Sequence, residues 1–163
     1  MQIHGSIHQF SKEVKLLIFA FLCTLSIGFY GGITFVKHST NGNATGIEQR
    51  YLGNENDAAA TTMQFKKTEA SVLTLVHNHI LSLSMIFFAL ALLVATTSIP
   101  KKWQMFLMLE PFVSIVLTFG GIYFLWLGHT WVKYIVLFSG LLMTLTYTVS
   151  IFVIGAQLLK KKV

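Results

Sequence analysis

Four long apolar stretches constrain this sequence more than any other feature. They run over about residues 16–36, 69–96, 103–127 and 131–159. A helix needs roughly 20 apolar residues to cross the hydrocarbon core of a bilayer, and each stretch is at least that long. Apolar residues make up 54% of the chain and charged residues 11%, a composition that excludes an ordinary soluble domain. The sequence therefore predicts an all-α integral membrane four-helix bundle, a single domain with one long loop, residues 37–68, between the first two spans.

The first stretch is typical of a membrane anchor. Lys12, Glu13 and Lys15 precede it, as charged residues precede both anchors and cleavable signal peptides. Its apolar run is longer than the signal-peptide core of about 7–15 residues, and no A-x-A-like cleavage site follows. We therefore expect this stretch to remain in the protein as its first span.

Basic residues predict the orientation of the spans, because cytoplasmic loops and tails are enriched in lysine and arginine. Seven of the twelve bases fall on the side that holds both chain ends, and five fall on the other side with the long loop. We therefore predict that both ends are cytoplasmic and that the loop is outside, in a multi-pass protein of the bacterial inner membrane. The net charge of +6 comes from lysines that flank the spans, so we expect the lipid bilayer and no nucleic acid as a partner.

Four of the six histidines fall on the predicted outer side: His38, His77, His79 and His129. Histidine is the commonest metal ligand, and a polar ring inside a membrane needs a partner or a watery cavity. We therefore predict cofactor binding by these four residues and metal binding by His77, His79 and His129. The alternative is that each ring is merely solvated or hydrogen-bonded. Because residues two apart project about 200° apart on a helix, at most one of His77 and His79 faces the bundle core, and the spacing does not choose between them.

Glycines accompany the histidines in the outer half of the bilayer. Gly28, Gly31 and Gly32 lie in the first span, and Gly120 and Gly121 lie in the third. Glycine is typical of close helix packing in membranes. The alternative is space for a flat b-type haem with two axial histidines, which would place Gly31, Gly32, Gly120 and Gly121 against the cofactor. Basic residues near the outer surface would then pair with its propionates, namely Lys37, Arg50, Lys66, Lys67 and Lys133. Copper or zinc is the other cofactor that these imidazoles could hold, with Met63 as an additional soft ligand.

Glu110 is the acid in the interior of a predicted span, and Pro111 follows it directly. It lies about 12 Å from the cytoplasmic edge of that span. Intramembrane acids often mark a proton path or an interface, which is the role that we predict for Glu110. The alternatives are a kink at the Glu-Pro pair, or an acid that shares a hydroxyl of the fourth span, from Thr144, Thr146, Thr148 or Ser150.

These patterns give three functional hypotheses. The leading one is a small integral membrane subunit that binds b-type haem or a metal through outer histidines and serves electron transfer in a larger respiratory complex. Such a subunit is not expected to be an enzyme on its own. The second hypothesis is a cofactor-free assembly or stabilising subunit. The third is a proton or metal transport component that uses Glu110 with His77 or His79. The expected partner is a larger membrane complex or a second copy of the chain.

Overall fold

The computed structural model describes residues 7–57 and 62–160, and every regular element in these ranges is helical. Four helical stretches are long and apolar enough to cross a membrane: Lys12–Thr40, Glu69–Ala95, Lys101–Trp126 and Val132–Leu158. The prediction of an all-α four-helix membrane bundle is therefore confirmed, and the protein is a multi-pass integral membrane protein.

The first span is helix α1, Lys12–Thr40, and it extends beyond the predicted apolar stretch at both ends. Its N-cap is Ser11, whose hydroxyl accepts the Val14 N–H at 3.4 Å. It ends where Asn41 takes a left-handed conformation with φ of 51°. Apolar residues mark the part of a helix that lies in lipid, whereas capping residues mark where the helix itself begins and ends.

A short helix, α2 (Ala44–Leu52), lies within the predicted outer loop. Its N-cap Asn43 accepts the Gly46 N–H at 2.7 Å. A Cβ at Gly46 would lie only 1.8 Å from the Thr40 carbonyl oxygen, so glycine permits the sharp turn from α1 into α2. Ile47 and Tyr51 are buried, and the loop therefore folds back onto the outer end of the bundle. This helix was not predicted, because nine residues give too short an amphipathic pattern.

The start of α1 and the end of α6 (Val132–Leu158) lie at the same end of the bundle. The second span is α3, Glu69–Ala95, and the Ile7 N–H near the start of the chain donates to the Thr96 carbonyl at 3.0 Å, just past the end of α3. The Ser98 N–H donates to Gln157 Oε1, near the end of the last helix, at 2.9 Å. Four spans place both of these ends on one side of the membrane, and which side that is stays a prediction.

The third span changes its helical geometry part-way along. It consists of α4 (Lys101–Ile115), a π-helical segment (Val116–Gly120) and α5 (Gly121–Trp126). Buried Pro111 lies inside α4, where it removes one backbone donor. The π-helical segment brings Thr118 Oγ1 to 2.7 Å from Ser139 Oγ on the last helix, α6 (Val132–Leu158).

Packing around the bundle is uneven. The third span packs closely against α3 on one side and α6 on the other. Helix α1 contacts α6 through two aromatic residues. The Phe29 ring stacks on the Tyr147 ring with centroids 3.7 Å apart, and the Tyr30 hydroxyl lies 2.9 Å from Thr148 Oγ1. Helices α1 and α3 pack against each other much less, and the rings of Phe29 and Phe87 meet there at 6.4 Å. The bundle is thus a ring of four helices that is nearly open between α1 and α3.

Candidate functional site

His77 and His79 turn to opposite sides of α3. Each lies about 80° around the helix from Phe87, one on either side. The His79 ring stacks on Phe119 in the π-helical segment, with centroids 4.8 Å apart, and its Nδ1 lies 2.9 Å from the Leu75 carbonyl oxygen. His79 is therefore the histidine that faces the third span, a choice that the sequence left open.

His77 lies on the other flank of α3, beside the open side of the ring. It is exposed, as is its neighbour Asn78, and neither side chain has a hydrogen bond or ring contact with residues 7–57 or 62–160. His77 lies about 12 Å along α3 from Glu69. A polar side chain at that depth is costly in lipid, so His77 and Asn78 require a partner or water from outside the chain.

The remaining two outer histidines have surroundings of their own. The exposed His129 ring lies 6.3 Å from the Phe124 ring in the turn before α6. His38 and Met63 line a cavity of about 740 Å³ between the end of α1, α2 and the segment before α3.

The four histidines thus lie towards one end of the bundle but in separate places. No group of three or more His, Cys, Asp or Glu side chains that could hold a metal ion occurs in the described parts of the chain. The predicted ligands His77, His79 and His129 are not brought together as one set. A ligand role for any single histidine stays a prediction.

Basic residues at the outer end make contacts within the chain. Lys133 on α6 forms an ion pair with Glu48 on α2. The Arg50 guanidinium lies 5.1 Å from the centre of the Phe35 ring, and the Lys66 ammonium lies 4.9 Å from the Trp126 ring. These three bases, which were predicted to bind haem propionates, therefore fasten the loop to the ends of the spans.

The glycines divide into two kinds. A Cβ at Gly121 would lie 2.7 Å from Val136 Cγ2, so at this position glycine permits close packing against α6. Gly28, Gly31, Gly32 and Gly120 have nothing within 4 Å of such a Cβ. Gly28 and Gly32 each lie about 160° around α1 from Tyr30, which bonds to α6, and they therefore border the open side of the ring.

We call this open side the α1–α3 gap and define it by Gly28 and Gly32 on α1 and by His77 on α3. Two glycines border it on one side and an unpartnered histidine borders it on the other. Because Phe29 meets Phe87, His77 lies about 10 Å farther than Gly32 towards the end of the bundle that carries α2. The sequence could not place these residues on the same side of the ring because the packing of α1 against α6 decides which flank of α1 stays free.

Glu110 is buried on α4, at the face that meets α6. Ser114, one turn further along, donates its hydroxyl to Glu110 Oε1, while Oε2 is buried and has no hydrogen-bond partner among the described residues. The predicted sharing of a fourth-span hydroxyl is wrong for the threonines, which bond to carbonyls of their own helix: Thr144 to Gly140, Thr146 to Leu142 and Thr148 to Thr144. The i, i+4 spacing of Glu110 and Ser114 was the signal that could have identified the partner.

Glu110 lines an elongated cleft of about 490 Å³, which we call the α4–α6 cleft. Ser114 and Ser139 also line it, and Lys102 lies at the end of the cleft nearest the start of α4. The rest of its wall is mainly apolar and includes Met105, Leu109, Val113, Leu117, Phe138 and Leu142. The cleft was not expected from the sequence, because two separate helices form its walls.

The fold and these sites define a multi-pass helical-bundle protein of the membrane. A family model described as a transmembrane helical domain, Aq_1264_TM, matches residues 41–163, and the chain belongs to this family. The match begins directly after α1 and covers α2 to α6. Neither the comparison with curated proteins nor the comparison with solved structures gives a match.

Proposed function

We propose that this protein is an assembly subunit that holds a transmembrane helix of a partner in the α1–α3 gap. The observation that supports this function is His77, which is exposed about 12 Å into α3 with no partner in the described chain. Polar residues at such depth usually face the interior of a bundle or another polar group. A fifth helix in the gap would supply that group.

The opposite wall of the gap favours the same occupant. Helices associate in membranes through small residues, which let backbones approach, and through hydrogen bonds between polar side chains. Gly28 and Gly32 are spaced by four residues and open onto empty space. They would seat the backbone of an incoming helix, and His77, nearer the α2 end of the gap, would bond to one of its side chains.

Haem-linked electron transfer is the second candidate, because a histidine without a partner in the described chain borders the same gap. A b-type haem there would take His77 as one axial ligand and the second from the partner helix. Copper or zinc would likewise need ligands from the partner. The transport hypothesis has less support, since Glu110 faces α6 while His77 and His79 lie on α3.

The assembly function is tested with the double variant Gly28→Leu/Gly32→Leu and with His77→Leu. We expect the wild-type chain, extracted from its native membrane in mild detergent, to migrate in a complex larger than a single 18.3 kDa copy. The double variant should fall to the single-copy size, because leucines fill the seat of the partner helix. The matched control is Gly155→Leu on α6, which also has nothing within 4 Å of a Cβ but lies outside the gap.

Three results decide between the candidates. A wild-type chain that is present as a single copy, or a double variant that assembles like wild type, would refute the assembly function. A sharp band in the reduced-minus-oxidised absorption spectrum of the wild-type complex, lost in His77→Leu, would favour the haem candidate. A photo-crosslinking residue at position 31, compared with one at exposed position 152, identifies the partner as a second copy or another protein.

A further inference from the structure

The carboxyl group of Glu110 is a buried polar group that the assembly function does not use. Ser114 holds one of its oxygens, and the other, Oε2, is buried without a partner. Buried polar atoms are nearly always hydrogen-bonded, so an unpaired one calls for an explanation. Because Glu110 lines the α4–α6 cleft, a molecule bound in that cleft would supply the missing hydrogen-bond partner of Oε2.

The cleft opens to the surface that faces lipid. Leu109 and Val113 on its wall are 58% and 59% exposed in the isolated chain. A molecule dissolved in the bilayer can therefore enter sideways between α4 and α6. The cleft has apolar walls with one or two convergent polar groups, as is typical of sites for small organic ligands.

A metal cation fits this cleft poorly. Hard cations take about six oxygen ligands, whereas the cleft offers the carboxyl group and the hydroxyls of Ser114 and Ser139. The Ser139 hydroxyl already bonds to Thr118 and to the Ile135 carbonyl. The volume of about 490 Å³ also suits an organic molecule better than an ion.

An ordinary phospholipid also leaves the carboxyl unexplained. Its phosphate would pair with Lys102, which lies about 12 Å along α4 from Glu110, and its acyl chain would fill the cleft. An acyl chain has no donor for Oε2. The ligand must therefore carry a donor group at the depth of Glu110.

We propose that the α4–α6 cleft binds a lipid-soluble molecule whose ring or chain carries a hydroxyl donor, such as a quinol, with Glu110 Oε2 as its acceptor. Oε2 is buried in the isolated chain. It turns towards the ligand by rotation about the terminal torsion of Glu110, which has a broad energy profile for carboxyl groups. This site is separate from the α1–α3 gap, so its test does not depend on the assembly function.

The test measures equilibrium binding of decylubiquinol to the full chain in phosphatidylcholine nanodiscs, with empty nanodiscs subtracted. The dimethyl ether of the same quinol is the matched ligand, because it keeps the apolar body and lacks the donors. We expect about one quinol per chain and about tenfold weaker binding of the ether, the effect of one hydrogen bond in an apolar site. Glu110→Met should weaken quinol binding to a similar extent, while Ser82→Ala, an exposed hydroxyl change on α3, should leave it unchanged.

A second measurement uses only the wild-type chain, in case Glu110→Met does not fold. Dicyclohexylcarbodiimide adds a carboxylic acid across its C=N bond and rearranges to a stable N-acylurea, which mass spectrometry locates. We expect labelling of Glu110 to fall when quinol is present and not when the ether is present. Equal binding of quinol and ether, quinol binding that survives Glu110→Met, labelling that quinol leaves unchanged, or bound phospholipid alone would each overturn the proposal.

Discussion

The third span and α1 are similarly apolar, yet they relate to the rest of the molecule in different ways. In the most apolar window of the third span 44% of the residues are buried, against 11% in α1. Lipid tails are as apolar as leucine, so apolarity alone does not draw helices together in a membrane. The third span is held by specific features such as Gly121 against Val136 and the Thr118–Ser139 hydrogen bond. The difference teaches that hydropathy predicts which segments span, whereas small and hydroxyl residues decide which spans pack.

The family match also separates the third span from α1. It covers residues 41–163, and so it includes the closely packed spans and leaves α1 outside. The closely packed third span thus lies within the transmembrane domain of the family. Helix α1 lies beside that domain, and the ring is nearly open between α1 and α3.

The largest effect that would test this comparison is expected from Gly121→Ala. A Cβ at this position would lie 2.7 Å from Val136 Cγ2 and 3.3 Å from Val132 Cγ1, and short branched valines cannot move far aside. Overpacking of this kind costs about 1–3 kcal/mol of unfolding free energy. Gly28→Ala is the matched control in α1, where nothing lies within 4 Å, and its effect should be much smaller.

The unfolding free energy of both variants is measured by reversible unfolding in mixed micelles with increasing sodium dodecyl sulfate, after the protein is extracted from nanodiscs. Equal destabilisation by the two alanines would contradict the division into a closely packed and a loosely packed part. Destabilisation by Gly28→Ala alone would mean that α1 is the closely packed part and the third span the loosely packed part.

A smaller and more local effect is expected from Phe29→Ala. The Phe29 ring stacks on Tyr147 and meets the edge of Phe87, and it is the main aromatic link from α1 to the other spans. Aromatic pairs contribute about 0.5–1.5 kcal/mol beyond their buried area. We therefore expect α1 to loosen while the rest of the bundle keeps its packing.

A spin label on Cys23, the one cysteine of the chain, reports the motion of α1 directly. Its spectrum should sharpen in Phe29→Ala and stay unchanged in Phe152→Ala, where the ring is 72% exposed on α6. An unchanged spectrum in Phe29→Ala would mean that other contacts hold α1 in place.

Much of the fold could be predicted from the sequence, because lipid allows only helices or closed barrels to span it and the apolar runs have helical length. The short helix α2 was missed, since its start depends on Asn43 and Gly46 rather than on a long apolar period. The π-helical segment was missed as well. It forms where Thr118 and Phe119 meet Ser139 and His79 on neighbouring helices, which are contacts that no local pattern encodes.

The candidate sites were predictable only in part. The depth of His77 and Glu110 in their spans identified both as polar groups that need a partner. The surroundings of each residue depend on how its helix is rotated about the helix axis. The two-residue spacing of His77 and His79 does not fix that rotation. For this reason the sequence did not show that the four outer histidines lie in separate places, or that His77 and the glycines of the first span border the same side of the ring.

The smallest effect on stability is expected at α2. This helix belongs to the closely packed part of the molecule, because Tyr51 is buried. Burial raises the pKa of the Tyr51 phenol above its ordinary value of 10.0, although the positive charge of Arg50 and its hydrogen bond to Tyr51 act in the opposite direction. Because the folded state holds this proton more tightly than the unfolded chain, the contribution of Tyr51 to stability is present below pH 10 and is lost as the pH rises through its folded pKa. A difference titration of phenolate absorbance, wild type minus Tyr51→Phe, should show one group that ionises above pH 10. Ionisation at or below pH 10 would mean that Tyr51 is open to water and that α2 is only loosely attached to the bundle.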